Sequence, residues 1–173
     1  MTLILSKKYN PLFESKARYF IITGGRGSGK SFAVTVFLTL LTMSRGIRVL
    51  FTRFTMTSAH LSIIPEFLEK IGLLGFDETF NINKSEVVNA KNKSDILFRG
   101  IKTSAGNQTA SLKSLQGIST WVLDEAEELV DENIFDTIDL SIREKKVQNR
   151  IILVLNPVTK EHWIYKRFFE DKG

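Results

Sequence analysis

The segment GGRGSGKS, residues 24–31, is the feature that most constrains the fold of this 173-residue chain. Gly24 is followed by four residues and then by Gly29, Lys30 and Ser31, which is the spacing G-x-x-x-x-G-K-[ST]. Glycines let backbone N–H groups converge on one anion, and a helix that starts here adds its positive end. We therefore predict a phosphate loop that binds a nucleoside triphosphate and Mg²⁺ through Gly24, Gly25, Arg26, Gly27, Ser28, Gly29, Lys30 and Ser31.

Apolar segments on both sides predict that the phosphate loop joins a strand to a helix. Residues 17–23 (ARYFIIT) form a β-branched and aromatic run that ends at glycines, and residues 31–43 are apolar on almost all sides. The same patterns predict strands at 47–53, 118–123 and 150–155, and helices at 58–72, after residue 126 and at 161–169. Residues 95–100 are typical of one arm of a hairpin or strand pair, and residues 102–117 of a loop. Alternating strands and helices indicate one α/β domain, residues 1–173, with a mainly parallel sheet.

Composition excludes several classes of protein. The chain has no cysteine, so disulfides and thiolate metal sites are absent, and its two histidines, His60 and His162, lack the neighbours of a zinc site. The apolar run at 32–43 is too short to span a bilayer, so we expect no membrane association and action in the cytosol. The net charge is +5, although residues 124–139 contain many carboxylates and no Lys or Arg. A basic body with one acidic segment is compatible with a polyanion partner and a local cation site.

Two carboxylates directly follow the predicted strand at 118–123. A strand delivers Asp124 to the sheet edge where Mg²⁺ would sit, and Glu125 beside it can deprotonate a water as the general base. Alternatively, such residues are carboxylates favoured by the positive end of the following helix. We prefer this second interpretation for Glu127 and Glu128, and the catalytic interpretation for Asp124 and Glu125.

Two further polar residues lie near the same predicted edge. Asn156 ends the strand at 150–155, where its amide could contact the γ-phosphate or a lytic water and report the nucleotide state; alternatively, it forms an Asx-Pro turn with Pro157. Arg26 lies inside the phosphate loop, where its guanidinium could reach the γ-phosphate or pair with Glu125; alternatively, its side chain is exposed and solvated.

The chain resembles the ATPase domain of tailed-phage terminase large subunits, the motors that package DNA. The resemblance is carried, in order, by GGRGSGKS, TWVLDEAEEL and ILVLNPVTKEHWIYKRFF, and it extends over nearly the whole chain. The last motif is the most particular, because many P-loop ATPases share the first two. NPLFESKARYF (10–20), LFRGIKT (97–103), SLKSLQGIS (111–119) and IREKK (142–146) also fit the family.

The resemblance implies a P-loop fold with an added strand between the two motif strands and a catalytic glutamate. It implies that ATP and Mg²⁺ are bound by Lys30, Ser31 and Asp124, that Glu125 is catalytic, and that Arg26 acts from within the loop. Asn156 falls in the family's coupling motif. An adenine contact is implied near Tyr9, Asn10 and Phe13.

The resemblance also implies partners and a place of action. Terminase large subunits form a homo-oligomeric ring on the portal protein of an empty capsid, work with a small terminase subunit and move double-stranded DNA inward. We accordingly expect action in the cytoplasm of an infected bacterium rather than in the mature virion, and an isolated domain that can be monomeric.

Two features depart from the family pattern. The large subunit normally continues into a nuclease domain, whereas this chain stops at Gly173, so we expect no DNA cleavage by it. The arginine finger that a neighbouring subunit supplies is not evident, and the candidates are Lys113, Arg143 and Arg99.

Three other functions compete with a packaging motor. Another P-loop ATPase that depends on nucleic acid, of the helicase or translocase kind, would share the loop and the Asp-Glu pair. A small-molecule kinase would need an Arg-rich lid, whereas residues 102–117 contain Lys but no Arg. A nucleotide-dependent switch protein would bind ATP with only incidental turnover.

Overall fold

The computed structural model describes residues 4–56, 61, 63–103, 106–107 and 109–170. His60, Gly173 and much of the start of the helix predicted at 58–72 lie outside the described residues. Within the described part of the chain, no helix has the length and apolar character needed to cross a membrane.

A mostly parallel sheet forms the centre of the domain. In the described ranges it has eight strands: β1 (Tyr19–Thr23), β2 (Arg48–Thr55), β3 (Phe80–Ile82), β4 (Glu86–Asn89), β5 (Asp95–Thr103), β6 (Gly106–Asn107), β7 (Thr120–Asp124) and β8 (Arg150–Leu155). Their order is β1-β8-β7-β2-β5-β4-β3, with β6 paired to β5. The first five in this order are parallel, and β4, β3 and β6 add antiparallel pairs.

The position of β8 confirms the predicted P-loop fold with an added strand between the two motif strands. This strand lies between β1, which precedes the phosphate loop, and β7, which ends at Asp124. The carboxyl ends of these three parallel strands therefore meet at one edge of the sheet, where ligands bind in open α/β folds. The hairpin predicted around 95–100 is also confirmed, because β5 pairs with β4 in antiparallel fashion.

Helices cover both faces of the sheet. The α-helices are α1 (Asn10–Glu14), α2 (Lys30–Leu41), α3 (Ile63–Leu73), α4 (Thr109–Lys113) and α5 (Glu132–Asp139). Buried side chains of α1, α2 and α3 form one core with the sheet, for example Phe37 and Phe67 with Phe51. The other core joins α4, α5 and the C-terminal segment to the opposite face, with Trp121, Phe135 and Trp163 in contact. The domain thus has three layers.

Two predictions about local structure were wrong in detail. Residues 102–117 are not mostly loop, because they contain β6 and α4, and the buried Leu112 anchors α4 to the core. The chain does not enter an α-helix directly after Asp124: a short 3-10 helix, Ala126–Glu128, comes first, and α5 starts only where Asp131 caps the N–H of Asn133. The helix predicted at 161–169 is confirmed from residue 163 onward, and it ends in a π-helical turn, Tyr165–Phe169.

Candidate nucleotide-binding and catalytic site

The carboxyl edge of the sheet holds an open cleft of about 500 Å³. The phosphate loop follows β1, Asp124 ends β7, Asn156 follows β8, and Arg53 lies near the end of β2. Parallel pairing brings all four to the same edge, although they are far apart in the sequence. The residues that line the cleft are Arg26, Gly27, Ser28, Gly29, Lys30, Ser31, Phe32, Arg53, Asp124, Glu125, Glu127, Glu128, Val154, Leu155 and Asn156.

The backbone of the phosphate loop has the shape of an anion cradle. Gly29 adopts a left-handed conformation with φ +81°, which glycine accepts without strain, and α2 begins at the next residue. A Cβ at Gly24 would lie 3.0 Å from Oγ of Ser28, so a larger residue there would crowd the inside of the loop. The loop and the first turn of α2 therefore present backbone N–H groups and a helix N-terminus to the cleft, as a phosphate requires.

Lys30 lies at the centre of this cradle. Its ammonium donates hydrogen bonds to the carbonyl oxygens of Gly24 and Gly25 (3.0 Å for Gly25) and to Oγ of Ser28 (3.3 Å). Oδ1 of Asn156 is a further acceptor at 3.5 Å. All four acceptors are uncharged, so no carboxylate of the described residues competes with a phosphate for this cation. A triphosphate fits the chemistry of the loop.

Asp124 is held by a residue that sequence reasoning missed. Its side chain is buried, and Oδ2 accepts a hydrogen bond from Nε of Arg53 at 2.9 Å. The two residues are direct partners in the register of β2 and β7. The sequence did contain a signal for Arg53, which is the charged residue at the end of the apolar segment IRVLFTR. The strand formed by this segment, β2, ends at the same edge of the sheet as β7. Asp124 and Ser31 are oxygen donors on the cleft wall and match the hard ligands that Mg²⁺ prefers.

Glu125 leaves the strand with an unusual backbone conformation. Its φ of 51° and ψ of 45° are left-handed, which is uncommon for a residue with a Cβ and is frequent at functional sites. Partial burial raises the pKa of its carboxyl, and the positive charge of Arg53 opposes that rise. A carboxylate with a raised pKa is a better proton acceptor near neutral pH. The geometry is thus compatible with the predicted general base.

Asn156 makes contacts beyond those of an Asx-Pro turn. Its backbone N–H and its amide nitrogen both donate to the carboxylate of Glu127, at 3.2 and 3.3 Å, while its amide oxygen faces Lys30. Glu127 and Glu128 do lie in the first turn of a helix, as we predicted. Glu127 has a further contact, because its hydrogen bonds to Asn156 connect the end of β8 to the segment that follows β7.

Arg26 is exposed on the wall of the cleft. Among the described residues it forms no ion pair with Glu125. Its side chain is therefore solvated, as in the alternative interpretation, and its contact with the γ-phosphate stays a prediction.

The three candidates for the arginine finger lie elsewhere. Lys113 ends α4 and is exposed, and Arg143 is exposed between α5 and β8. Arg99 is half-buried and donates to the carbonyl oxygens of Ser85 and Phe98 in its own chain. In the described part of the chain, none of the three lines the cleft.

The segment predicted to contact adenine, near Tyr9, Asn10 and Phe13, contacts the phosphate loop through Tyr9. Tyr9 is buried, and its hydroxyl donates to the carbonyl oxygen of Ser28 at 3.0 Å. Asn10 is exposed at the first position of α1, and Phe13 packs edge-on against Phe37 at 5.2 Å. Tyr9 therefore supports the loop, and an adenine contact by these three residues stays a prediction.

Fold and site together define a P-loop NTPase of the additional-strand class. Its sheet order places β8 between the loop strand and the strand that ends in Asp124 and Glu125. The family model described as phage terminase large subunit matches residues 16–173. The chain therefore belongs to the phage terminase large subunit family.

Solved structures show the same fold at low sequence identity. The large terminase of a thermophilic bacteriophage matches with a TM-score of 0.72 and 12% identity, over 96% of this chain and 42% of that one. The same thermophilic terminase in complex with ADP matches with a TM-score of 0.68 and 13% identity, over 94% of this chain and 41% of that one. The N-terminal domain of the DNA packaging ATPase from bacteriophage phi29 matches with a TM-score of 0.70 and 15% identity, over 96% and 86%.

The chain spans less than half of the length of the thermophilic large terminase. No curated protein sequence matches the chain.

Proposed function

We propose that this chain is the ATPase domain of a DNA-packaging motor, in which Mg-dependent hydrolysis of ATP moves double-stranded DNA into a procapsid. The observation that carries the proposal is the convergence of Lys30, Asp124, Glu125 and Asn156 on one cleft, in a chain of the terminase family. The ADP complex of the thermophilic terminase supports nucleotide binding at this fold. The name of the phi29 protein, a DNA packaging ATPase, supports the packaging role.

The loop, Ser31, Asp124 and Glu125 have separate tasks in the proposed reaction. Lys30 and the N–H groups of the phosphate loop bind the triphosphate, and Ser31 and Asp124 would hold Mg²⁺. The ion would supply positive charge to the β- and γ-phosphates. Glu125 accepts a proton from a water whose oxygen bonds to the γ-phosphorus, while the bond to the bridging oxygen breaks and ADP leaves with the electron pair.

Completion of the site requires more than one copy of the chain. Arg26 is exposed on the cleft wall and is free to turn toward the γ-phosphate. A cation from a neighbouring subunit, with Lys113 or Arg143 as candidates, would add charge in trans, because both are exposed. We propose a ring on the portal protein, with a small terminase subunit as a further partner, in the cytoplasm of the infected host. A lone copy should hydrolyse ATP slowly.

The test of this proposal is stimulation of ATP turnover by double-stranded DNA. We expect slow release of phosphate by the purified chain with ATP and Mg²⁺, and faster release when DNA and portal are added. A kinase would instead transfer phosphate to a small-molecule acceptor. A switch protein would bind ATP with no response of turnover to DNA. Unstimulated turnover under conditions in which the chain forms rings on the portal would overturn the motor proposal.

A further inference from the structure

We propose that Glu127 is a positioning residue, which orients the amide of Asn156 so that its oxygen faces the nucleotide cleft. The inference rests on the proposed function, because it concerns the same cleft. It gives Glu127 a role beyond the helix N-terminus to which the sequence analysis assigned it.

The contacts of Asn156 determine which way its amide points. Oε2 of Glu127 accepts the backbone N–H of Asn156 at 3.2 Å, and Oε1 accepts its Nδ2 at 3.3 Å. The amide oxygen then faces the ammonium of Lys30, at 3.5 Å. A flipped amide would set its oxygen against the Glu127 carboxylate and its NH₂ group against the ammonium. Both of those contacts are repulsive, so the carboxylate of Glu127 selects one orientation.

Glu127 is itself held in place by the C-terminal segment. Its carbonyl oxygen lies 3.0 Å from Nε2 of His162, whose Nδ1 accepts the N–H of Ile164 at 3.1 Å. Because Nδ1 accepts, the ring proton is on Nε2, and this atom donates to Glu127. The indole of the buried Trp163 donates to the carbonyl oxygen of Leu129 at 2.6 Å. The turn after Glu125 is thus bound at two points to residues 162–164.

The fixed amide has a chemical consequence for the cleft. An amide oxygen can accept a hydrogen bond from an ammonium or from a water, whereas an NH₂ group would instead donate to phosphate. Glu127 therefore makes Asn156 an acceptor toward Lys30 and toward any water near it. Loss of this orientation should slow the chemical step more than it weakens nucleotide binding, because the phosphate loop itself is unchanged.

The first test compares Glu127→Gln with Glu161→Gln in the full chain. The two donors of Asn156 bond to different oxygens of Glu127, and a glutamine replaces one of these oxygens with an NH₂ group, which cannot accept. Glu161 is an exposed carboxylate of the neighbouring segment outside the cleft. We expect Glu127→Gln to lower kcat about tenfold, with KM for ATP and Tm nearly unchanged. Glu161→Gln should have the kcat and the KM for ATP of the wild type. In an Asn156→Ala background, Glu127→Gln should have no further effect, since the pair acts as a unit. A lower Tm, or independent effects of the two substitutions, would overturn the inference.

The second test separates this inference from the proposed function. The side-chain amide resonance of Asn156 can be followed by NMR without nucleotide. We expect Glu127→Gln to shift it and Glu161→Gln to leave it in place. An unshifted resonance would overturn the pairing even in a chain that hydrolyses ATP. A shifted resonance in a chain without ATPase activity would support the pairing and overturn the proposed function instead.

Discussion

Arg53 and Asp124 lie side by side at the ends of two neighbouring parallel strands, with Nε of the arginine 2.9 Å from Oδ2 of the aspartate. The aspartate is buried, so the guanidinium is the counter-ion of a carboxylate that would otherwise lack one in the part of the chain that the structure describes. In the proposed reaction the same carboxylate would face Mg²⁺. The arginine thus orients the Asp124 carboxylate toward the cleft before the ion arrives.

Removal of Arg53 should destabilise the domain. We expect Arg53→Ala to lower the free energy of unfolding by about 3 kcal/mol, because a buried carboxylate is left without its partner. Urea denaturation would measure the loss. Arg143→Ala, which removes an exposed arginine, is the control and should have almost no effect. The double variant Arg53→Ala/Asp124→Asn should lose less than the sum of the single changes; simple additivity would contradict a direct pair.

Replacement of Glu125 should separate binding from turnover. We expect Glu125→Ala to abolish ATP hydrolysis, by at least about a hundredfold, while ATP still binds, because the phosphate loop does not depend on this side chain. Phosphate release and isothermal titration calorimetry would report the two quantities. Full activity of this variant would remove Glu125 from the mechanism.

The raised pKa of Glu125 predicts a pH dependence of stability. Partial burial raises its pKa in the folded chain, against the opposing charge of Arg53, so folding favours the protonated form. The stability that this carboxyl contributes is therefore present at pH below its unfolded pKa, about 4.3, and is lost as pH rises through the folded pKa. We expect the free energy of unfolding of the wild type to fall relative to Glu125→Gln over that interval.

Glu161 provides the control of opposite sign for this measurement. A hydrogen bond to its own backbone lowers the pKa of Glu161, so its contribution is present above the unfolded pKa and is lost as pH falls. The difference between wild type and Glu161→Gln should thus change in the other direction. For each variant, the difference in free energy of unfolding from the wild type is followed against pH. If this difference changed in the same direction for both variants, the raised pKa of Glu125 would be contradicted.

The hydroxyl of Tyr9 should affect phosphate binding rather than adenine binding. We expect Tyr9→Phe, which keeps the ring but loses the hydrogen bond to Ser28, to weaken ATP and tripolyphosphate by the same factor, about three- to tenfold. Tripolyphosphate carries no base, so a common loss indicates support of the loop. A loss confined to ATP would instead favour an adenine contact through the hydroxyl. Affinities for both ligands can be measured by calorimetry.

Much of the fold was predictable because its signals are local. The run RIILVL predicted a strand at 150–155, and β8 has the same bounds. The apolar helix predicted at 31–43 is α2, whose middle residues are buried. The resemblance to terminases supplied the added strand, and the sheet order confirms it. Where polar residues dominated, as in the segment that contains α4, composition predicted a loop, whereas one buried leucine, Leu112, anchors a helix.

The sequence by itself determined the phosphate loop, since GGRGSGKS contains the glycines, the lysine and the hydroxyl within eight consecutive residues. It also predicted that Asp124 and Glu125 lie at the sheet edge, because an apolar strand runs straight into them. Only the tertiary structure decided that Arg53 holds Asp124, that Tyr9 supports the loop and that Glu127 orients Asn156. These pairs join residues that are distant in the sequence. The Arg53–Asp124 and Glu127–Asn156 pairs form because the order of parallel strands brings the ends of separate strands to one edge of the sheet. Strand order is a property of the packed sheet rather than of any one segment.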